Sequence, residues 1–186
     1  MSELDPVAVA RRLADELEAA GVPYAIGGAI ALGYWGAARG TQDVDLNVFL
    51  AAGAEGPGLD ALERAGVRFD RDAAVREIAE GGYVRGFVGR TPVDAFFDSI
   101  PLHASAARRV ALRPLDGRPA RILSAEDLAV LKLLFFRGKD VVDLERLVAI
   151  AGESLDRAYV RRWIVECMGE DDLRVREWDR IVTELG

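Results

Sequence analysis

The spacing of apolar and polar positions changes period several times along the chain, and each change marks an element. Asp5-Pro6 opens a segment in which Leu13 and Leu17 lie four residues apart and which stops at Gly21. A side-chain cap, a proline at the first helical position and a glycine stop predict a helix over about 6–20. A short apolar strand at 22–26, a Gly27-Gly28 turn and a helix over about 29–37 follow. The period then drops to two: Arg39, Thr41, Asp43, Asp45 and Asn47 share one parity, and Gln42, Val44, Leu46 and Val48 the other. This predicts a strand over about 43–50 with Val44, Leu46 and Val48 in a core. A glycine-rich loop at 51–58, a short helix at 59–65 and a further short strand at 67–70 come next, while 71–82 shows no clear period. Apolar runs at 83–88 and 93–97 joined by Gly89-Arg90-Thr91-Pro92 predict a hairpin, and Asp116-Gly117 a second one with arms at 109–115 and 118–123. From Ser124 the period becomes helical, predicting helices over about 125–136, 140–151, 155–168 and 171–184. The organisation expected is a mixed α/β core over 1–123 followed by a helical region over 124–186.

Composition narrows this picture. A chain of 186 residues, 51% hydrophobic and 30% charged, is that of an ordinary globular protein. The single cysteine, Cys167, excludes an internal disulfide framework, and its apolar helical setting predicts a buried thiol. The first residues lack the basic and apolar regions of a signal peptide, and no apolar run reaches the roughly 18 residues of a membrane span, so a cytoplasmic protein is expected. A net charge of −7 argues against indiscriminate nucleic-acid coating. That charge sits in residues 1–104, with 9 basic and 16 acidic side chains, whereas 105–186 holds 15 of each. Arg108, Arg109, Arg113, Arg118 and Arg121 form a basic stretch that suits either a solvated hairpin or a polyanion contact.

Candidate chemistry centres on Asp43 and Asp45. On one face of a strand they repel each other, which predicts a cation between them, and hard oxygen ligands suit Mg²⁺. Gly27-Gly28 lets a phosphate approach the backbone at a helix start. Two-ion nucleotidyl transfer needs a third acid. Asp94, in Pro92-Val-Asp-Ala-Phe-Phe97, is the candidate, with Asp98 of the same parity as its rival and pairing with Arg85 across the hairpin as its alternative role. The chain has 22 arginines but only two lysines, Lys132 and Lys139. Lys132 is the one polar residue in Leu128-Ala-Val-Leu-Lys-Leu-Leu-Phe-Phe136, where a compact ammonium suits either a phosphate contact or a snorkelling side chain. His103 reads as structural, and Trp35, Trp163 and Trp178 as core or interface residues.

Gly27-Gly28, then Arg39-x-Thr41-x-Asp43-x-Asp45, then a strand-borne Asp94 together resemble the DNA polymerase beta-like nucleotidyltransferase superfamily, and the particular spacing resembles its AbiEii-type branch, which includes toxins of bacterial toxin–antitoxin systems. The resemblance implies an α/β nucleotidyltransferase fold, a mixed sheet flanked by helices with a C-terminal helical region. It implies an NTP held at Gly27, Gly28, Arg39, Thr41 and Lys132, and two Mg²⁺ ions at Asp43, Asp45 and Asp94. The NMP would pass to an acceptor hydroxyl on tRNA or protein, and a cognate antitoxin would be a partner. The family's helix lysine and following basic–Asp–x–x–Asp segment match Lys132, Lys139 and Asp140, adding Asp140 as a catalytic candidate and Asp143 as a further one. Lys139 stands where the related toxins commonly carry arginine. Asp140 equally suits a cap on a helix over 141–150, with Asp143 in its first turn. The alternative functions are a non-catalytic interaction module on the same fold and a small-molecule (antibiotic) nucleotidyltransferase.

Overall fold

The structure, a computed structural model, is described over residues 5–185; residues 1–4, where no signal peptide is expected, lie outside the described residues. Helix α1 (Pro6–Ala19) begins where Asp5 accepts the Val7 N–H at 3.1 Å and Pro6 fills the first helical position. Then come β1 (Tyr24–Ile26), α2 (Gly28–Tyr34), β2 (Val44–Ala51), α3 (Gly56–Arg64), α4 (Arg71–Gly81), β3 (Tyr83–Val88) and β4 (Thr91–Asp98). They are followed by α5 (Pro101–Arg109), β5 (Ala111–Leu115), β6 (Arg118–Ile122), α6 (Ala125–Phe135), α7 (Gly138–Ala151), α8 (Arg157–Met168) and α9 (Leu173–Leu185). The strands form one mixed sheet in the order β3-β4-β2-β1-β6-β5, the mixed α/β architecture expected. Strand β2 runs parallel to β4 and antiparallel to β1, β1 is parallel to β6, and the two predicted hairpins close the edges. Val44, Leu46 and Val48 of β2 and Val93, Ala95 and Phe97 of β4 are buried, as their parity requires.

Several boundaries differ from expectation. Helix α3 starts three residues early, because Pro57 sits in its first turn and supplies a helix-compatible φ. Residues 67–70 form a single bridge, with Arg68 and Phe87 exchanging N–H···O bonds of 2.9 and 3.1 Å, rather than a strand. The segment without clear period, 71–82, is α4: Asp70 caps it through the Ala73 N–H at 2.8 Å, but only Ala74 and Ile78 are buried, so its apolar stripe is too thin to read. Helix α5 takes up Arg109, assigned by sequence to a hairpin arm. Helix α2 ends at Tyr34, short of the expected 37, before Gly36 adopts a φ of +91°.

Two compact units emerge. The chain up to Ile30 together with Gly40–Leu123 carries the sheet; Ala31–Arg39 and the chain from Ser124 onward carry the C-terminal helices. In the first unit α1 packs on β1, β2, β6 and α3. Its Arg11 is buried, donating to the Pro119 carbonyl at 2.7 Å and pairing with Asp15 at 2.9 Å. Asp15 also pairs with Arg118 at 2.7 Å, and Glu18 with Arg121 at 3.7 Å, so two arginines of the basic stretch are matched to acids of α1. In the second unit Ser124 starts α6, and the fully buried Asp127 accepts hydrogen bonds from the Ser124 and Tyr159 hydroxyls, both at 2.5 Å. Trp178 is core as expected, whereas Cys167, Trp35 and Trp163 are only half-buried; partial burial pushes the Cys167 thiol up.

His103 is buried on α5 in the structural role expected of it: its Nδ1 accepts the Ser99 N–H at 3.1 Å. Burial lowers the imidazole from 6.5 to about 4, so it is neutral in the folded protein at pH 7. The unfolded chain takes up this proton first, so stability falls as pH drops below 6.5 toward 4. Chemical denaturation of wild type and His103→Gln should reveal this. Between pH 7 and 5 the wild type is expected to lose about 2 kcal/mol more than the variant.

Candidate active site

The first unit builds its acidic centre around the end of β1. The Ile26 carbonyl accepts the Leu123 N–H at 3.0 Å, and the Gly27 N–H donates to the Asp45 carbonyl at 2.8 Å. Gly28 has a φ of +54°, and a Cβ built there would collide with the Asp45 carboxylate. The residue must be glycine for both reasons: a left-handed backbone and the close approach of an acid. With only seven residues, α2 contributes little dipole.

Asp43 stands immediately before β2, and the Thr41 hydroxyl hydrogen-bonds its carboxylate. Asp45 is the register partner of Asp94 on the parallel strand β4, so these two acids are neighbours on one face of the sheet. Asp98 lies four residues further on, roughly 13 Å along the strand, which removes it from the Asp45 position. On its other side Asp94 faces Arg85 of β3 in register. Arg85 Nε donates to Oδ1 at 2.6 Å and Nη2 to Oδ2 at 2.7 Å, and the Tyr83 hydroxyl donates to Oδ1 at 2.9 Å. Burial and the bond to Asp94 push the Tyr83 hydroxyl up to about 12. The Arg85 pairing weighed from sequence is thus present. Asn47, read from sequence only as a strand position, is buried with its Oδ1 unbonded, and its Nδ2 lies 3.0 Å from where a Gly27 Cβ would sit.

The second unit holds Arg39, Lys132, Asp140 and Asp143. Lys132 does not snorkel: its side chain is 5% exposed, and Nζ lies 2.7 Å from Asp143 Oδ2 and 3.5 Å from Asp140 Oδ1. Arg39 Nε meets both oxygens of Asp143 at 3.1 Å. Asp140 is not the helix cap: α7 begins at Gly138 with Arg137 as N-cap, and Asp140 reaches back to the Arg137 N–H at 3.1 Å and to Arg137 Nε at 2.7 Å. Burial pushes the Asp140 carboxyl up, but the Arg137 hydrogen bonds and the Lys132 and Arg137 charges outweigh it and hold the group below its ordinary range. Lys139 is exposed.

The donor set suits a hard divalent cation by type: Asp43, Asp45 and Asp94 offer only carboxylate oxygens, and two of them are register partners. As the side chains stand, no group of three or more His, Cys, Asp or Glu among the described residues is gathered to hold a metal ion, and both Asp94 oxygens are bonded to Arg85.

No known sequence family and no curated protein matches the chain. Solved structures do. The solution structure of the antibiotic-resistance factor ANT(2'')-Ia superposes with a TM-score of 0.58 at 16% identity, over 87% of this chain and 90% of that one. The crystal structure of ANT(2'')-Ia with adenylyl-2''-tobramycin gives 0.57 at 18% identity, over 84% and 98%. A protein from H. pylori described as a nucleotidyltransferase gives 0.51 at 16% identity, over 96% and 89%. The fold is therefore that of nucleotidyltransferases, as the sequence motifs implied.

Two substitutions test these local arrangements. Gly28→Ala is expected to cost at least 1–2 kcal/mol from backbone strain, seen as a Tm drop of several degrees, whereas Gly27→Ala, with no positive φ, should cost less. Lys132→Met leaves Asp143 and Asp140 buried with less counter-charge and should lose about 3–5 kcal/mol by chemical denaturation, with part of the loss recovered in the Lys132→Met/Asp143→Asn double variant.

Proposed function

We propose that this protein is a divalent-cation-dependent nucleotidyltransferase that moves an NMP from an NTP to an acceptor hydroxyl. The observation that carries the reading is the contact of the Gly27-Gly28 turn with Asp45, whose register partner is Asp94, on a nucleotidyltransferase fold. Gly27 and Gly28 are the phosphate turn by their resemblance to the family motif, with Gly28 making room for the Asp45 carboxylate, while Thr41 holds the Asp43 carboxylate in place. Asp43, Asp45 and Asp94 would hold Mg²⁺, which supplies neutralisation of the charge developing on the transferred phosphoryl group. Asp94 takes the proton of the acceptor hydroxyl as its oxygen bonds to the α-phosphorus; the α–β bridging bond breaks and pyrophosphate leaves. Within the second unit, Arg39 has a more exposed side chain than Lys132, at 27% against 5%. Asp143, itself bonded by Lys132, holds the Arg39 guanidinium in place.

The resemblance to AbiEii-type toxins supports a tRNA or protein acceptor, with a cognate antitoxin as partner. A second reading, a small cationic acceptor, is favoured by two observations. Arg118 and Arg121 are matched to Asp15 and Glu18, which weakens the basic stretch as an RNA contact, and a similar fold is solved with an adenylylated aminoglycoside. Incubation with each α-labelled NTP and Mg²⁺ against tRNA, cell protein and aminoglycosides in parallel tests both. Label is expected on one acceptor class and should fall at least about 100-fold in folded Asp43→Ala and Asp45→Ala. Transfer that survives both substitutions would overturn this site, and no transfer together with no NTP binding would leave the interaction-module reading in its place.

A further inference from the structure

Asp94 is 9% exposed at its side chain, while the Arg85 guanidinium clamped on it is 53% exposed. The clamp therefore comes from the solvent side onto a buried carboxylate. Across β3, β4 and β2 the register sets Arg85, Asp94 and Asp45 in one row, so the guanidinium on Asp94 sits one strand away from a second acid. A guanidinium cannot be switched off by deprotonation, so the clamp opens only if the side chain leaves. On leaving, the half-exposed guanidinium regains water, and the buried carboxylate it uncovers is neutralised only if another cation takes its place. The Tyr83 hydroxyl bonds Oδ1 independently and would keep the carboxylate oriented once Arg85 has gone.

We propose that Arg85 is a resident, displaceable cation that masks Asp94, so that a divalent ion gains this carboxylate only by competing with the guanidinium. The inference rests on the metal-dependent reading above and deepens it: Arg85 sets the cation concentration at which the acidic row loads. A divalent ion wins the exchange because it brings two charges to adjacent carboxylates where arginine brings one. Arg85 is a positioning residue in this scheme, since it departs before Asp94 acts.

The test is Mn²⁺ binding without nucleotide, by electron paramagnetic resonance of the free ion, at fixed pH and salt. Arg85→Gln should bind Mn²⁺ about tenfold more tightly than wild type, equivalent to one freed ligand contact of about 1.4 kcal/mol. Arg85→Lys, which keeps the charge and loses the fork, should fall between them. Asp45→Asn should weaken binding in both backgrounds. Wild-type binding that depends on Asp45 but is equal or weaker in Arg85→Gln overturns the masking role alone. No Mn²⁺ binding to either protein overturns it together with the metal-dependent reading. A measurement on the unaltered chain guards against a misfolded variant: the Arg85 Nε–H resonance should move on Mg²⁺ addition, and a resonance that stays put while metal binds overturns the proposal.

Discussion

The repulsion between Asp45 and Asp94 is the constraint around which the first unit is arranged. They are register partners on parallel strands, so their side chains leave the same face of the sheet side by side. Like charges set side by side on neighbouring strands are destabilising unless other groups compensate them. The neighbouring groups answer to this cost. Arg85 and Tyr83 satisfy both oxygens of Asp94, Thr41 satisfies Asp43, and Gly28 leaves out a Cβ so that the Asp45 carboxylate has room. Such an arrangement has no merit for stability alone. Replacing the acids with apolar residues would remove the repulsion.

The second unit treats buried charge in the opposite way. Lys132, Asp143, Asp140, Arg39 and Arg137 alternate in sign, and every carboxylate faces at least one cation at about 3 Å. Here the charges are closely matched, and the cluster ties α6 to the start of α7 and to Arg39. A lysine in this setting is less a free phosphate hook than the centre of a packed ion network, with Arg39 its more exposed end. Both units thus carry acids at low exposure. Only the first sets two of them in register with each other.

Much of the site was legible from local pattern. The period-two run from Arg39 to Asn47 placed Val44, Leu46 and Val48 inward and Asp45 on the other face, and Gly27-Gly28 marked the turn beside it. Asp94 stood out as a charge in an apolar strand. The hairpins and the four C-terminal helices were equally readable, since turn pairs, caps and helical spacing act over a few residues. Helix α4 was not, because it buries only two side chains.

What tertiary structure decided is which charge meets which. Asp45 neighbours Asp94 only because β2 and β4 run parallel across a long connection, and Arg118 meets Asp15 over a separation of 103 residues. Lys132 meets Asp143 because the turn between α6 and α7 folds one helix onto the other, which buries the ammonium in an ion pair. The sequence by itself determined most of the elements, the glycine turn and the faces on which the acids lie, because side-chain period and turn chemistry are local. Partners and burial were left to the fold, because an ion pair depends on distance in space, and that is set only when separate elements pack.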